Sequence, residues 1–356
     1  DSDAESDDED EEDEDYFSFD DARWFPVMGS ATLLGLYMVI KFVDRRYLDY
    51  LITAYFSVLG VVALSQLFLT TARKLLHRPF RGDYHLAIHH RPADELVLSY
   101  NFGPVHIACM ALALLLTVYY VISSHWVVSN LYGEAFALTA VQLFRLDSFA
   151  TGILLLSGLF LYDIFWVFGT DVMVTVARNF NAPIKVVWPK NILAVLRSGH
   201  WWHPTPPPGG MDATMLGLGD IVIPGVFIAL CLVFDQHLYR QTPRGKLHRH
   251  AAHFPRPYFI TCMIAYVVGL TTTIFIMHTF RAAQPALLYL SPACILSVLL
   301  TAFIRGDLKT MMAFRPQEMQ KKASKTAVDS RGDPPTPRGA GRQNTAGRGA
   351  SMLCQA

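Results

Sequence analysis

Long apolar stretches separated by short polar breaks dominate the chain between residues 24 and 304. A helix needs roughly 20 mostly apolar residues to cross the hydrocarbon core of a bilayer. Eight stretches approach that length: 24–42, 47–69, 105–120, 126–144, 148–169, 215–234, 258–278 and 285–304. A large soluble protein with eight buried helices is the alternative, but its remaining polar surface would be too small to cover a globule. The pattern therefore predicts an all-α fold, a polytopic transmembrane helical bundle with eight spans in this chain.

The distribution of charge supports this prediction. Of the 356 residues, 52% are hydrophobic and 17% are charged, whereas soluble domains carry about 25% charged residues. Residues 1–15 contain 12 Asp or Glu, and the tail beyond Arg305 is basic and rich in Gly, Pro, Ser and Thr. We predict that both ends are disordered and solvated. The zero net charge averages these ends and says little about partners.

Positive charge predicts the orientation in the membrane, because cytoplasmic connections carry an excess of Lys and Arg. With eight spans both ends lie on one side. The connections on that side contain 11 Lys or Arg before the tail is counted, and those on the other side contain seven. We therefore expect both termini in the cytosol and the loop 170–214 on the far, luminal side.

Metal and disulfide chemistry have little support in the pattern. The five cysteines show no CxxC spacing, and four of them fall inside predicted spans. His248, His250 and His253 cluster in a basic loop, without the spacing that ligands on an apolar scaffold would show. We predict no metal site and no cofactor.

Two acids interrupt consecutive apolar stretches at corresponding places. Asp163 lies six residues before the end of its predicted span at Gly169, and Asp220 lies five residues after the next span begins at Met215. With a rise of 1.5 Å per residue, both would be roughly 8–9 Å below the same membrane face. Consecutive spans are antiparallel, so the two carboxylates can meet at one depth.

Such a pair has a chemical use. A lone charged acid at mid-bilayer costs on the order of 2.5–3.5 kcal/mol, and two nearby carboxylates can share one proton. The ionised member can take a proton from water while the neutral member donates to a scissile carbonyl oxygen. Depth alone leaves three alternatives open: ion binding in a transporter or channel, structural pairing of helices, and a module that binds membrane segments without cutting them.

Glycine and proline surround Asp220. Gly217 and Gly219 precede the acid and Pro224 follows it. Glycine loosens a helix and lets another backbone approach, which suits a site that must reach the carbonyls of an unwound peptide. The alternative is that these residues only allow close helix packing.

Three motifs carry a resemblance to a known family. They are "YD" at Tyr162–Asp163, "GLGD" at Gly217–Asp220 and "QPALLYL" at Gln284–Leu290. In this order and in these spans, they resemble the signatures of the GxGD intramembrane aspartyl proteases, the presenilin/signal peptide peptidase family. The stretches "FWVFGTDVMVTVA" and "TIFIMHTFRAAQPALLYLSPACI" are similar to the signal peptide peptidase branch rather than to presenilin. The similarity extends over roughly residues 22–309.

The resemblance implies an aspartic endopeptidase that cuts transmembrane segments, with signal-peptide remnants and other type II segments as substrates. Asp163 and Asp220 would be catalytic. The residues expected to shape the site or contact substrate are Tyr162, Gly217, Leu218, Gly219, Pro285, Ala286 and Leu287. The implied partners are transmembrane peptides, membrane lipid and further copies of the chain, but not nucleic acid.

The resemblance also implies a location and a division of the chain. The family has nine spans and a cytosolic carboxyl terminus in the endoplasmic reticulum membrane, so this chain would begin after the first span. We expect an acidic segment at 1–21, amino-terminal helices at 22–144, catalytic helices with the luminal loop at 145–313, and a basic tail at 314–356. Glu134, another acid deep in a predicted span, belongs to none of the motifs, and we expect it to face the bundle interior.

Overall fold

Helices account for most of the computed structural model, which describes residues 16–76, 84–90, 95–123, 125–170, 172, 185–189, 213–242, 254–280 and 285–316. In this part of the chain the long helices, α1 to α8, are Phe19–Phe42, Arg45–Leu76, Pro104–Ser123, Trp126–Leu143, Phe149–Gly169, Gly219–Gln241, Pro257–Phe280 and Leu287–Arg305. A short helix, α9, follows at Leu308–Met312.

The long helices confirm the predicted polytopic helical bundle, although their apolarity is uneven. Within the described ranges, seven of them, all but α4, are long and apolar enough to cross a membrane. Helix α4 has 18 residues and carries Asn130, Glu134 and Gln142, which lower its hydropathy. The eight predicted spans therefore correspond to eight long helices in the described ranges, and seven of these are long and apolar enough to cross a membrane.

Local capping explains why α1 begins at Phe19, earlier than the predicted span. The Asp21 N–H donates to Ser18 Oγ at 3.3 Å, and the Ser18 N–H donates to Asp21 Oδ2 at 3.0 Å. This reciprocal capping box satisfies two backbone groups at the helix start. The helix consequently includes a first turn that apolarity alone does not indicate.

The described ranges contain three two-stranded sheets that were not predicted from the sequence. Their members are β1 (Tyr16–Phe17) with β4 (Arg145–Leu146), which are parallel, and the antiparallel pairs β2 (Tyr84–His90) with β3 (Glu95–Phe102) and β5 (Lys185–Pro189) with β6 (Ala213–Gly217). Strand β6 corrects the prediction that a helix starts at Met215. Its backbone pairs with β5, and α6 begins only at Gly219.

Glycine brings α5 and α6 close together. A Cβ atom added at Gly152 of α5 would come within 2.6 Å of Phe227 Cδ2 on α6. The Phe149 ring packs edge-on against Phe227 with 6.0 Å between centroids. Helix α5 is also tied to α1, because Trp166 Nε1 donates to Ser30 Oγ at 3.1 Å. Helix α5 thus has fixed neighbours on two sides.

A buried acid joins the end of α6 to the start of α7. Asp235 is 2% exposed, and its carboxylate accepts hydrogen bonds from the N–H groups of Tyr258 at 3.2 Å and Phe259 at 2.8 Å. The first N–H groups of a helix have no partner within the helix. Asp235 therefore caps α7 from a neighbouring helix.

The same end of the bundle is closed by the chain beyond α9. Phe314 is 4% exposed, and its ring packs on Phe234 with 5.1 Å between centroids and on Phe149 at 6.2 Å. The guanidinium of Arg315 lies 3.5 Å from Asp147 Oδ2. These contacts connect the last described residues to the start of α5 and the end of α6.

Several sequence predictions concern residues outside the described part. They are the acidic residues 1–15, most of the loop 170–214, the histidines at 248–253 and the tail beyond residue 316.

We expect Asp235→Ala to lower the free energy of unfolding by roughly 1–3 kcal/mol, because two buried N–H groups lose their acceptor. Thermal unfolding of the purified protein in detergent, followed by circular dichroism, measures the change. Asp20→Ala, which removes an exposed acid from α1, is the control and should shift the midpoint much less. Equal shifts for the two variants would contradict the capping role.

Candidate active site

Asp163 lies near the end of α5 and is buried, with 4% of its surface exposed. Its Oδ2 accepts a hydrogen bond of 3.2 Å from the backbone N–H of Leu287. Leu287 is the first residue of α8, so its N–H has no acceptor within its own helix. The positive end of a helix dipole therefore faces the carboxylate.

Proline explains why this N–H is available. Pro285 lacks a backbone N–H and does not continue a helix toward its amino-terminal side. Helix α8 begins directly after Ala286, whose carbonyl accepts the N–H of Leu290 at 3.2 Å. Pro285, Ala286 and Leu287 are all buried. The Pro285–Leu287 segment thus places the start of a helix, rather than a polar side chain, next to Asp163.

Asp220 occupies the first turn of α6, as its second residue. Its carboxylate accepts a hydrogen bond from the N–H of Gly217 and interacts electrostatically with Asp163. A Cβ atom added at Gly217 would lie 3.2 Å from Asp220 Oδ2, so only glycine leaves this contact uncrowded. The expected helix start at Met215 was wrong, because α6 starts four residues later, but the structure nevertheless brings the two acids within electrostatic range of each other.

The end of α5 therefore meets the starts of α6 and α8. Two helix amino termini converge on two carboxylates, an arrangement that favours negative charge between them. Tyr266 of α7 is close enough for its hydroxyl to interact electrostatically with Asp220. Tyr266 was not predicted from the sequence, since nothing in the pattern of α7 distinguishes one face from another.

Tyr162 takes a different position from its neighbour. Its ring faces α1, and a Cβ atom added at Gly29 would lie 3.6 Å from Tyr162 Cε2. The ring also lies near Trp166, with 6.3 Å between centroids. Among the described contacts, the Tyr162 hydroxyl makes no hydrogen bond to either acid.

Asn130 of α4 holds the strand that leads to Asp220. Its Nδ2 donates to the Val187 carbonyl and its Oδ1 accepts the Val187 N–H, both at 2.8 Å. Val187 belongs to β5 and pairs with Met215 of β6, two residues before Gly217. This role of Asn130 was not predicted, and its only signal in the sequence is a polar residue within an apolar stretch.

An apolar cavity of about 220 Å³ adjoins the site. It begins at Leu218 and Gly219, the two residues before Asp220. The other lining residues are Phe17, Phe25, Phe144, Leu146, Leu155, Val222, Ile223 and Val226. Hydrophobic side chains from β1, α1, α5 and α6 therefore surround the residues that precede the acid.

Comparison with known proteins identifies the family. A family model described as signal peptide peptidase matches residues 9–318. Signal peptide peptidase of Mus musculus is 41% identical over 312 residues, covering 86% of this chain and 75% of that protein. The human signal peptide peptidase is 40% identical over the same length, and a probable intramembrane protease of Schizosaccharomyces pombe is 35% identical over 298 residues, or 82% of each chain.

The chain belongs to the signal peptide peptidase family. It is an intramembrane protease, and its substrates are membrane peptides. The matched region contains both acids, the Gly217–Asp220 motif and the start of α8. The pair of acids at the meeting point of α5, α6 and α8 is therefore the candidate active site of this family member.

We expect Asn130→Ala to lower kcat by about ten- to a hundredfold, since releasing β5 would displace β6 and the Gly217 N–H, and small displacements of a catalytic group can cost that much. KM for a synthetic transmembrane peptide should change less, and the pH–rate profile should change shape. Asn130→Asp, which keeps the acceptor for the Val187 N–H but loses the donor, should fall between wild type and Asn130→Ala.

Thr139→Val serves as the control on the same helix, because Thr139 Oγ1 bonds the Ala135 carbonyl of α4 itself. Its kinetics should match the wild type. A fall in thermal stability of Asn130→Ala with kcat and the pH profile unchanged would contradict the positioning role.

Proposed function

We propose that this intramembrane protease is an aspartic endopeptidase in which Asp163 and Asp220 activate water. The observation that supports this most directly is the electrostatic interaction between the two carboxylates, which come from adjacent helices, with Asp163 itself buried. One proton shared between two carboxyl groups supplies a base and an acid together. No other pair of acids in the described residues lies at the meeting point of three helix ends.

The reaction proceeds in two steps. The ionised carboxylate takes a proton from water, whose oxygen attacks the scissile carbonyl carbon while the neutral carboxyl donates its proton to the carbonyl oxygen. The resulting gem-diol then collapses: one hydroxyl returns its proton to the carboxylate pair, the C–N bond breaks, and the departing nitrogen takes a proton from the other carboxyl. The pair finishes with the single proton it held at the start.

In this proposal the neighbouring residues position the two acids and the substrate backbone. Leu287 orients Asp163 through its N–H, and Pro285 and Ala286 place that N–H. Gly217 holds Asp220 and, with Gly219, leaves space for a substrate backbone beside the acid. Leu218 provides the apolar wall at the cavity. Tyr162 sets the contact between α5 and α1, beside the site.

We also propose substrates and a location. Relatives named signal peptide peptidase, at 40–41% identity, support signal-peptide remnants as substrates, and the proposal of other type II membrane segments rests on the resemblance. The excess of Lys and Arg on one side supports a cytosolic carboxyl terminus, and the proposed location in the endoplasmic reticulum membrane rests on the resemblance. Lipid contact is supported by exposed apolar side chains on the spans, such as Ile122 at 81% and Phe42 at 78%. A homo-oligomer and the four-part division of the chain rest on the resemblance.

We expect Asp163→Asn and Asp220→Asn each to lower kcat by at least about 10³-fold, because each removes a proton-transfer group and keeps its size. Cleavage of a synthetic signal-peptide segment in proteoliposomes, followed by mass spectrometry, measures the loss. Asp44→Asn, which changes an exposed acid between α1 and α2, should retain activity. Substantial cleavage by either active-site variant would refute the two-aspartate mechanism.

A further inference from the structure

A second recess lies between α4 and β5. It is an open groove of about 620 Å³. Its lining consists of Trp126, Val127, Asn130, Leu131, Glu134, Ala137, Leu138, Val186, Trp188 and Ile221. We call this the α4–β5 groove. Its walls are mostly apolar, with two tryptophans whose rings stand edge to face at 6.5 Å.

The α4–β5 groove reaches the level of the candidate active site. Ile221, which lines it, follows Asp220 directly in the chain. On α4, a Cβ atom added at Gly133 would lie 3.5 Å from Val186 Cγ2 and 3.7 Å from Leu218 Cδ1. Glu134 therefore directly follows Gly133, which packs against Val186 of β5 and against Leu218, two residues before Asp220. A peptide lying in this groove would pass beside Ile221, the residue that follows Asp220.

Among the described residues, Glu134 is the one charged side chain that lines the groove. It is exposed, which overturns the expectation that it faces the bundle interior. Across the described ranges, its carboxylate has no hydrogen-bond or ion-pair partner, whereas Asn130 beside it is bonded to Val187. A cation in the groove would supply the charged partner that this carboxylate lacks among the described residues.

We propose that the α4–β5 groove docks the substrate, and that Glu134 selects transmembrane segments carrying a Lys or Arg near the scissile bond. The apolar walls match the rest of such a segment, and the carboxylate matches its single cation. Hydrogen bonding to a guanidinium or ammonium is charge-assisted and stronger than to a neutral group. This inference rests on the proposed active site at Asp163 and Asp220, because docking is useful only beside those acids.

The test is a series of substrates that differ at one position. A leucine-rich transmembrane peptide carries Lys, Gln or Leu at each of about six positions on either side of the cleaved bond. We expect the wild type to prefer Lys over Leu by about tenfold in kcat/KM at one or two adjacent positions only. In Glu134→Gln that ratio should fall to about one, and in Glu134→Lys a substrate with Glu at the same position should be preferred.

The control is Asp44→Asn, which should keep the wild-type ratio. A wild type without any positional preference, or a Glu134→Gln variant that keeps the preference, overturns this inference. Its failure is distinct from that of the proposed mechanism. If the groove selects nothing, the all-leucine peptide is still cleaved and depends on Asp163 and Asp220; if the mechanism is wrong, cleavage persists in their Asn variants.

A crosslinking experiment tests docking without turnover. In the Asp163→Asn background, Glu134→Cys should form a disulfide, under a mild oxidant, with a substrate that carries Cys at the selected position. Thr139→Cys, exposed on α4 but outside the groove lining, should crosslink much less. Disulfide formation between two copies of the chain in place of substrate, or protection of the introduced thiol by lipid alone, would contradict substrate docking.

Discussion

The hydrogen bond from the Leu287 N–H to Asp163 is the contact on which the arrangement of the site depends. A carboxylate among apolar helices must find its donors inside the protein, because lipid offers none. Side chains that could donate are scarce in these spans, and a helix start supplies unpaired N–H groups without adding any polar side chain. The break at Pro285 therefore provides a hydrogen-bond donor for the acid on α5 as well as a starting point for α8.

Asp220 is held by a longer series of contacts. Its donor, Gly217, lies in β6, which pairs with β5, and β5 is fixed to α4 through both backbone groups of Val187. The two acids are thus positioned from different directions, one by α8 and the other by a strand held on α4. The close approach of α5 and α6 at Gly152 brings together the two helices that carry the acids. Small residues permit that approach because packing drives helix association in membranes.

The sequence predicts the helices well and the strands poorly, for physical reasons. A span is visible as one uninterrupted apolar run, so its existence depends on neighbouring residues only. Strands β5 and β6 are each five residues long and pair across a connection that no local pattern describes. The meeting of Asp163 and Asp220 follows from antiparallel spans, but the start of α6 at Gly219 depends on the pairing of β6. The exposure of Glu134 could not be predicted either. Apolar residues lie on every face of α4, so the sequence does not show which face packs inside the bundle.

The acids of this bundle differ in how completely their oxygens are bonded, and that difference separates structural from chemical roles. A carboxylate has about four lone-pair positions. Asp235 accepts two backbone N–H groups across a helix junction, which suits an acid that holds two helices together. Asp163 accepts one N–H, so its oxygens keep capacity for water and for a proton shared with Asp220. Glu134 accepts none among the described residues and faces an open groove. Since an unsatisfied charge in an apolar setting is unfavourable until a partner arrives, the least bonded acid is the one best suited to recognise something from outside the chain.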